Sequence, residues 1–308
     1  MNYSDFRTFI TSKGFSENSA FLLEKISNDC GFFAFNRHLC FVIKSGKSKK
    51  QSVSTNYVDF VPETEINSID NDPSFERGKY DFLILKEQED EELIESFIKL
   101  CDLYGKNPSM AFDEFISSII DLFQLPRKQN YLDCIGFLGE LIVLYSFYDK
   151  KINLSSYWHL SGPFSKYDIS LKTLNIEVKS STSNSTTFKI KHSQLFNNEN
   201  NFVALVSLRK TESSGFCLEQ MVHFFKNTVP FSSNLKFQIA LEKELQKQIE
   251  PDMFKLHFEL NGLFFFEANK LQTITGIPLN ISEISYDYDF DLSDSIDLSE
   301  FILNFMKD

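Results

Sequence analysis

The sequence predicts a mixed α/β (α+β) chain, and three observations carry that reading. Hydrophobic spacing is helical through residues 113–148, strand-like through residues 158–208, and helical again after Gly215. Another strand-rich stretch lies before residue 90 and is set apart by a helical segment with its own stop signal. With 308 residues, 42% hydrophobic and 24% charged, the chain can bury a full core in one large domain or two ordinary ones.

Taken in order, residues 4–28 hold two short helical patterns. Ser16-Glu17-Asn18-Ser19 reads as the start of the second, with Phe21, Leu22, Leu23 and Ile26 inside it. Residues 32–35 and 39–44 flank Asn36-Arg37-His38 and read as a β-hairpin. A Ser- and Lys-rich loop over 45–55 and a strand over 80–85 follow. Residues 91–104 form a helical pattern closed by Gly105, with Pro108 just beyond. Residues 1–108 are therefore expected to be an N-terminal α+β accessory domain or extension, and 109–308 the main domain.

Within that second part, helices are expected over 113–123, broken by Pro126, and over 131–148. The period then switches, giving strands over 158–160, 167–171, 175–180 and 202–208. Turn signals stand at Gly162-Pro163 and Thr173-Leu174-Asn175, and a short helix over 193–197 precedes the last strand. The order is helix, strand, strand, strand, helix, strand. Phe237, Leu241, Leu245 and Ile249 then recur about once per helical turn up to Pro251. A β-prone region over 255–286 leads into an acidic segment containing Asp287, Asp289, Asp291, Asp294, Asp297 and Glu300, which reads as a solvated face.

Composition narrows the function classes. No window approaches the roughly 20 apolar residues of a membrane span, and the first residues lack the pattern of a secretory signal, so a cytoplasmic protein without membrane partners is expected. Five widely separated cysteines without a CxxC pair suggest reduced, buried thiols. His38, His159, His192, His223 and His257 share no ligand spacing, so no zinc site is assigned, and Trp158-His159 reads as core plus strand edge. Phosphate-cradling glycine loops, dinucleotide fingerprints and GxSxG elbows are missing. The net charge of −12 at first argues against a nucleic-acid partner. Residues 127–210, however, carry eleven Lys or Arg against six Asp or Glu, a net of +5, which leaves −17 on the rest. That asymmetry fits a basic cleft in an acidic body, or a chance cluster of surface lysines.

The chemistry concentrates at Asp168, Glu177 and Lys179. Residues two apart on a strand share a face, so Glu177 and Lys179 are neighbours while Ile176 and Val178 turn into a core. An antiparallel hairpin through residues 173–175 brings Asp168 beside them. Two carboxylates suffice for Mg2+, which keeps several waters and shares its shell with substrate phosphate, and Lys179 can orient water and offset phosphate charge. Glu140 lies among Gly136, Phe137, Val143 and Leu144 on an apolar helix face, where a carboxylate needs a cation or strong donors; pairing with a buried lysine is the structural alternative.

The ordered set Glu140, Asp168, Glu177-Val178-Lys179, on helix, strand and strand, resembles the PD-(D/E)XK superfamily of restriction-endonuclease-like nucleases. With Gly136-Phe137-Leu138-Gly139-Glu140-Leu141 it is most similar to the bacterial PD-(D/E)XK motif proteins, which tend to be encoded in restriction and phage-defence clusters. Tyr167 stands where the pattern has proline. The resemblance covers roughly residues 110–210. It implies a restriction-endonuclease-like core, a central mixed β-sheet flanked by helices, with metal on Asp168, Glu177 and Glu140 and with Lys179 assisting the attacking water. It further implies a Mg2+-dependent DNA endonuclease, Mn2+ substituting, acting with DNA and other proteins of a restriction or defence operon, a dimer being one possible state. The alternative is a catalytically silent, nuclease-like DNA-binding or scaffolding subunit. Gln194 is a further candidate for substrate contact, or an ordinary surface amide. Lys189 and Lys191 flank the Ser-, Thr- and Asn-rich stretch 180–187, which could donate to phosphates or be a solvated loop.

Overall fold

The computed structural model describes residues 1–12, 20–46, 51–66, 78–123, 131–159, 167–183, 186–195, 200–245, 251–273 and 284–306. The chain divides into two units, Met1–Pro126 and Arg127–Asp308.

In the first unit α1 (Tyr3–Ser12) precedes β1 (Ala20–Lys25), β2 (Cys30–Phe35), β3 (His38–Lys44), β4 (Val53–Ser54), β5 (Val58–Ile66) and β6 (Gly78–Leu85). These strands make one antiparallel sheet in the order β1-β2-β3-β6-β5-β4. The β2–β3 hairpin turns through Asn36 and Arg37, both at positive φ (49° and 67°), the backbone that matches the right-handed twist of the paired strands. The expected second helix is instead the strand β1. A short apolar run suits either period, and here its backbone groups pair with β2, Phe21 opposite Ala34 and Leu22 opposite Phe33. Its proposed start, Ser16-Glu17-Asn18-Ser19, lies outside the described residues.

Two helices complete the unit. At the head of α2 (Glu91–Lys106) the Asp90 carboxylate accepts the Leu93 N–H, and Glu91 and Glu92 complement the helix dipole. Gly105 does not end this helix; Asn107 caps it. Next, α3 (Phe112–Leu122) sets Phe115 in a stack on Tyr104 with ring centroids 4.2 Å apart, and packs Phe112 against Phe60 of β5. These contacts tie α3 to the first sheet, so the first unit extends to Pro126, past the expected boundary at residue 108.

The second unit opens with α4 (Tyr131–Asp149). Then come β7 (Ile169–Ser170), β8 (Leu174–Ser181), β9 (Thr187–Lys191), α5 (His192–Leu195) and β10 (Asn200–Thr211). Helices α6 (Leu218–Asn227), α7 (Leu235–Leu245) and α8 (Pro251–Phe254) follow, with Ile249 outside the described residues. The unit closes with β11 (His257–Glu267), β12 (Ser285–Asp289), β13 (Ile296–Asp297) and α9 (Leu298–Phe305). The main sheet runs β13-β11-β10-β8-β7. Its β8–β10 pair is parallel and the other pairs are antiparallel, the central mixed sheet that the resemblance implies. Of residues 158–160, Trp158 makes a single bridge to Ile169 and Leu160 lies outside the described residues.

Alternation along β8 and β10 fills both faces. Ile176, Val178, Phe202, Ala204 and Val206 share a core with Leu138, Leu141 and Ile142 of α4. Val203 and Leu205 turn the other way, into a smaller core with Ile190, Leu195, Phe266 and Phe290. A ribbon of β9 and β12 contributes Ile190 to that second core. Among the described helices α4 alone is long and apolar enough to cross a membrane, with a mean hydropathy of 1.3 over its 18-residue window, closer to a span than the sequence reading allowed. More than half of that window is nevertheless buried inside the unit. The α4–β8 approach is close: a Cβ added at Gly139 would stand 1.7 Å from Ser180 Oγ.

Candidate metal centre

Period two places the chemistry on β8. Glu177 and Lys179 share the face opposite Ile176 and Val178, and Glu177 is only 5% exposed. The ammonium of Lys179 donates to Glu177 Oε1 at 2.5 Å, so the charge nearest this buried carboxylate is its own neighbour on the strand.

Asp168 stands just before β7. Pairing of Ile169 with Ile176 and Ser170 with Asn175 carries it across to β8, where its Oδ2 accepts the Val178 N–H at 2.7 Å. The antiparallel hairpin thus does what the sequence spacing suggests, bringing Asp168 to the strand that holds Glu177 and Lys179.

Glu140 reaches the same place from α4. Its Oε2 accepts the Trp158 indole N–H at 2.8 Å and lies 2.8 Å from His159 Nε2. Trp158 is fixed against Phe137, one helical turn before Glu140, and against Phe237 of α7. No buried lysine holds Glu140 among the described residues; Trp158 and His159 do.

His159 is the member that sequence spacing missed. Its backbone N–H donates to the Asp168 carbonyl at 2.9 Å, and its φ of 42° is left-handed, an uncommon state for a residue with a side chain. Ligand-capable atoms of Glu140, His159 and Asp168 all lie within 4.8 Å of one another. The Trp158–Ile169 bridge creates this proximity, which no spacing between histidines encodes. The single clue in the sequence is position, a titratable residue shortly before the Gly162-Pro163 turn signal and close ahead of Asp168.

Gln194, on α5, accepts the Lys191 N–H at 3.0 Å through Oε1, and its side chain hydrogen-bonds the Glu177 carboxylate. It is therefore engaged with a site carboxylate, where a substrate contact or a surface amide was expected. Lys189 and Lys191 are exposed on β9, and Asp287 of β12 stands opposite Lys189. The Thr186 and Thr187 hydroxyls donate to Asp289, so part of the polar stretch 180–187 is already occupied by the acidic strand.

Crowded carboxylates shape the electrostatics. Burial, reinforced by the negative charges of Glu140 and Glu177, holds Asp168 well above the usual carboxylate range, against the opposing Val178 N–H and His159. Burial also raises Glu177, a shift that the Lys179 ammonium partly offsets. For His159 burial alone would lower the imidazolium, but the hydrogen bond and charge of Glu140, with Asp168 and Glu244 adding, raise it to about 9. Carboxylates that resist ionising together, beside an imidazole that keeps its proton, mark a cluster short of positive charge. A divalent cation fits that deficit, and Glu140, His159 and Asp168 have the donor atoms and the spacing to hold one.

A comparison with family models finds one match, over residues 30–291, to the family described as "Putative PD-(D/E)XK family member, (DUF4420)". The match begins at the first residue of β2 and runs through both units, so the first sheet apart from its edge strand β1 is part of the shared pattern. Comparison with curated proteins and with solved structures gives no match.

Proposed function

Because this chain belongs to that PD-(D/E)XK family, with a nuclease-like fold, we propose that it is a metal-dependent DNA endonuclease of a bacterial restriction or phage-defence system. One observation carries the reading: Glu140 from a helix, Asp168 from the residue before β7, and Glu177 and Lys179 from β8 meet at one end of the β7–β8 hairpin.

A divalent cation bound there would supply Lewis-acid polarisation of a scissile phosphate and make a nearby water more acidic. The chain's own groups do the rest. Asp168 is aimed by the Val178 N–H and Glu140 by the Trp158 indole, so neither carboxylate needs to reorganise. Glu177 is held between Lys179 and Gln194. Once a phosphate competes for its ammonium, Lys179 can turn from Glu177 to the phosphate oxygens and offset the charge that grows there. The excess of basic residues between 127 and 210 supports a polyanionic substrate.

The test is cleavage of plasmid and linear DNA by the full chain with Mg2+ or Mn2+, alone and with the proteins encoded beside it. Glu177→Ala and Lys179→Ala should each abolish cutting while leaving the melting profile in place. A folded wild-type protein that cuts nothing under any of these conditions, yet binds DNA, would replace the nuclease with a silent DNA-binding or scaffolding subunit.

A further inference from the structure

Three groups surround the Glu140 carboxylate: the Trp158 indole, the His159 imidazole and the Asp168 carboxylate. The indole N–H can only donate, and it already fixes Glu140 Oε2 at 2.8 Å. A second residue is therefore not needed to orient that oxygen. His159 nevertheless arrives at the same atom on left-handed backbone, held there by its own N–H on the Asp168 carbonyl. Strained backbone of this kind persists where its surroundings over-determine it, commonly at ligand sites. Once its proton leaves, an imidazole nitrogen can donate its lone pair to a metal, which the indole N–H cannot.

From this geometry we infer that His159 is a nitrogen ligand of the bound metal, together with Glu140 and Asp168, and that the site selects Mn2+ over Mg2+. Imidazole suits transition dications, whereas Mg2+ favours an all-oxygen shell and sheds water reluctantly. An all-carboxylate set drawn from Glu140, Asp168 and Glu177 would carry no such bias. Here Glu177 is instead turned to Lys179 and Gln194, and the histidine occupies the third position of the cluster. The inference rests on the nuclease reading only for the use of the metal, not for its binding.

Binding of Mn2+ alone and Mg2+ alone to the full chain, by calorimetry, is the first measurement. Mn2+ should bind about tenfold or more tightly than Mg2+, following the ordering of imidazole-containing sites. Pulsed EPR of the Mn2+-loaded protein should show nitrogen coupling that changes character when histidine is 15N-labelled. His159→Asn, chosen because asparagine tolerates left-handed backbone, should remove that coupling and lose about tenfold in Mn2+ affinity while Mg2+ affinity changes little. Absence of histidine nitrogen coupling in the wild type overturns the inference, as does an equal loss of both ions in the variant. If the variant does not fold, the isotope experiment on wild-type protein still decides. The two readings also fail separately. A chain with histidine-coupled Mn2+ that leaves DNA intact refutes the nuclease alone; cleavage without such coupling refutes the ligand alone.

Discussion

Substituting Gly139 by alanine tests how the site is built, because this glycine is the point where α4 approaches β8. The added Cβ would lie 1.7 Å from Ser180 Oγ and 2.8 Å from Ser180 Cβ, with Val206 Cβ at 3.6 Å. Rotating the Ser180 hydroxyl relieves only the first contact. Carbon atoms in contact need about 3.5–4.0 Å, so α4 must retreat by roughly 1 Å from β8. Overpacking of this kind costs about 1–3 kcal/mol. For a unit of this size that lowers the midpoint of unfolding by roughly 2–4 °C per kcal/mol. Glu140 is the next residue and moves with the helix, and a 1 Å misplacement at a reacting centre costs about 100-fold in rate. Ser180→Gly removes both offending atoms, so the double variant should recover most of the stability and activity, whereas Ser180→Ala, which keeps the Cβ, should recover less. Thermal unfolding followed by circular dichroism, alongside Mn2+ affinity and DNA cleavage, reads all three. A Gly139→Ala protein as stable as wild type, or one that Ser180→Gly does not rescue, would show that α4 is not held against β8 as described.

Other outcomes follow from the same structure. In chelator, the second unit should lose stability as pH rises from 6.5 through about 9, since His159 binds its proton more tightly in the folded chain; the contribution is complete below 6.5 and gone above 9. With the His159 side chain 31% exposed, the loss should be about 2 kcal/mol in denaturant titrations, and His159→Asn should flatten it. Phe147, fully buried against Phe265 and Phe301, should cost about 3–5 kcal/mol on truncation to alanine, as measured by urea unfolding. Arg37→Gly relieves a left-handed residue in the β2–β3 turn and should stabilise the first unit by up to about 1 kcal/mol, read as a slightly higher melting midpoint; a lower midpoint would contradict the turn assignment.

Much of this molecule was legible before any coordinates. The amphipathic helices α2 and α3, the long apolar α4 and the once-per-turn apolar residues of α7 are legible, and so are β2, β3, β6, β8 and β10. The acidic and basic members of the site could be named because strand period and hairpin spacing are local properties. What failed was non-local. The run Phe21-Leu22-Leu23 satisfies helix and strand alike, and only pairing with β2 decides between them. Strand β5 escaped notice since Pro62 lies inside it and a register shift between Val61 and Thr64 breaks its alternation. The unit boundary moved because α3 belongs with the sheet that its phenylalanines cover, and nothing in its own residues says which sheet that is. His159 has no partner at ligand spacing in the sequence, because its partners, Glu140 on α4 and Asp168 just before β7, meet it only in the folded chain.

Trp158 has an optical consequence. It is the single tryptophan of the chain, and its indole donates to the helix glutamate of the candidate centre. Fluorescence excited in the tryptophan band therefore originates within one hydrogen bond of Glu140. A paramagnetic ion held there would quench that emission and a diamagnetic one would not, so the protein carries its own lamp for reading which ion has entered, without dye, label or substitution.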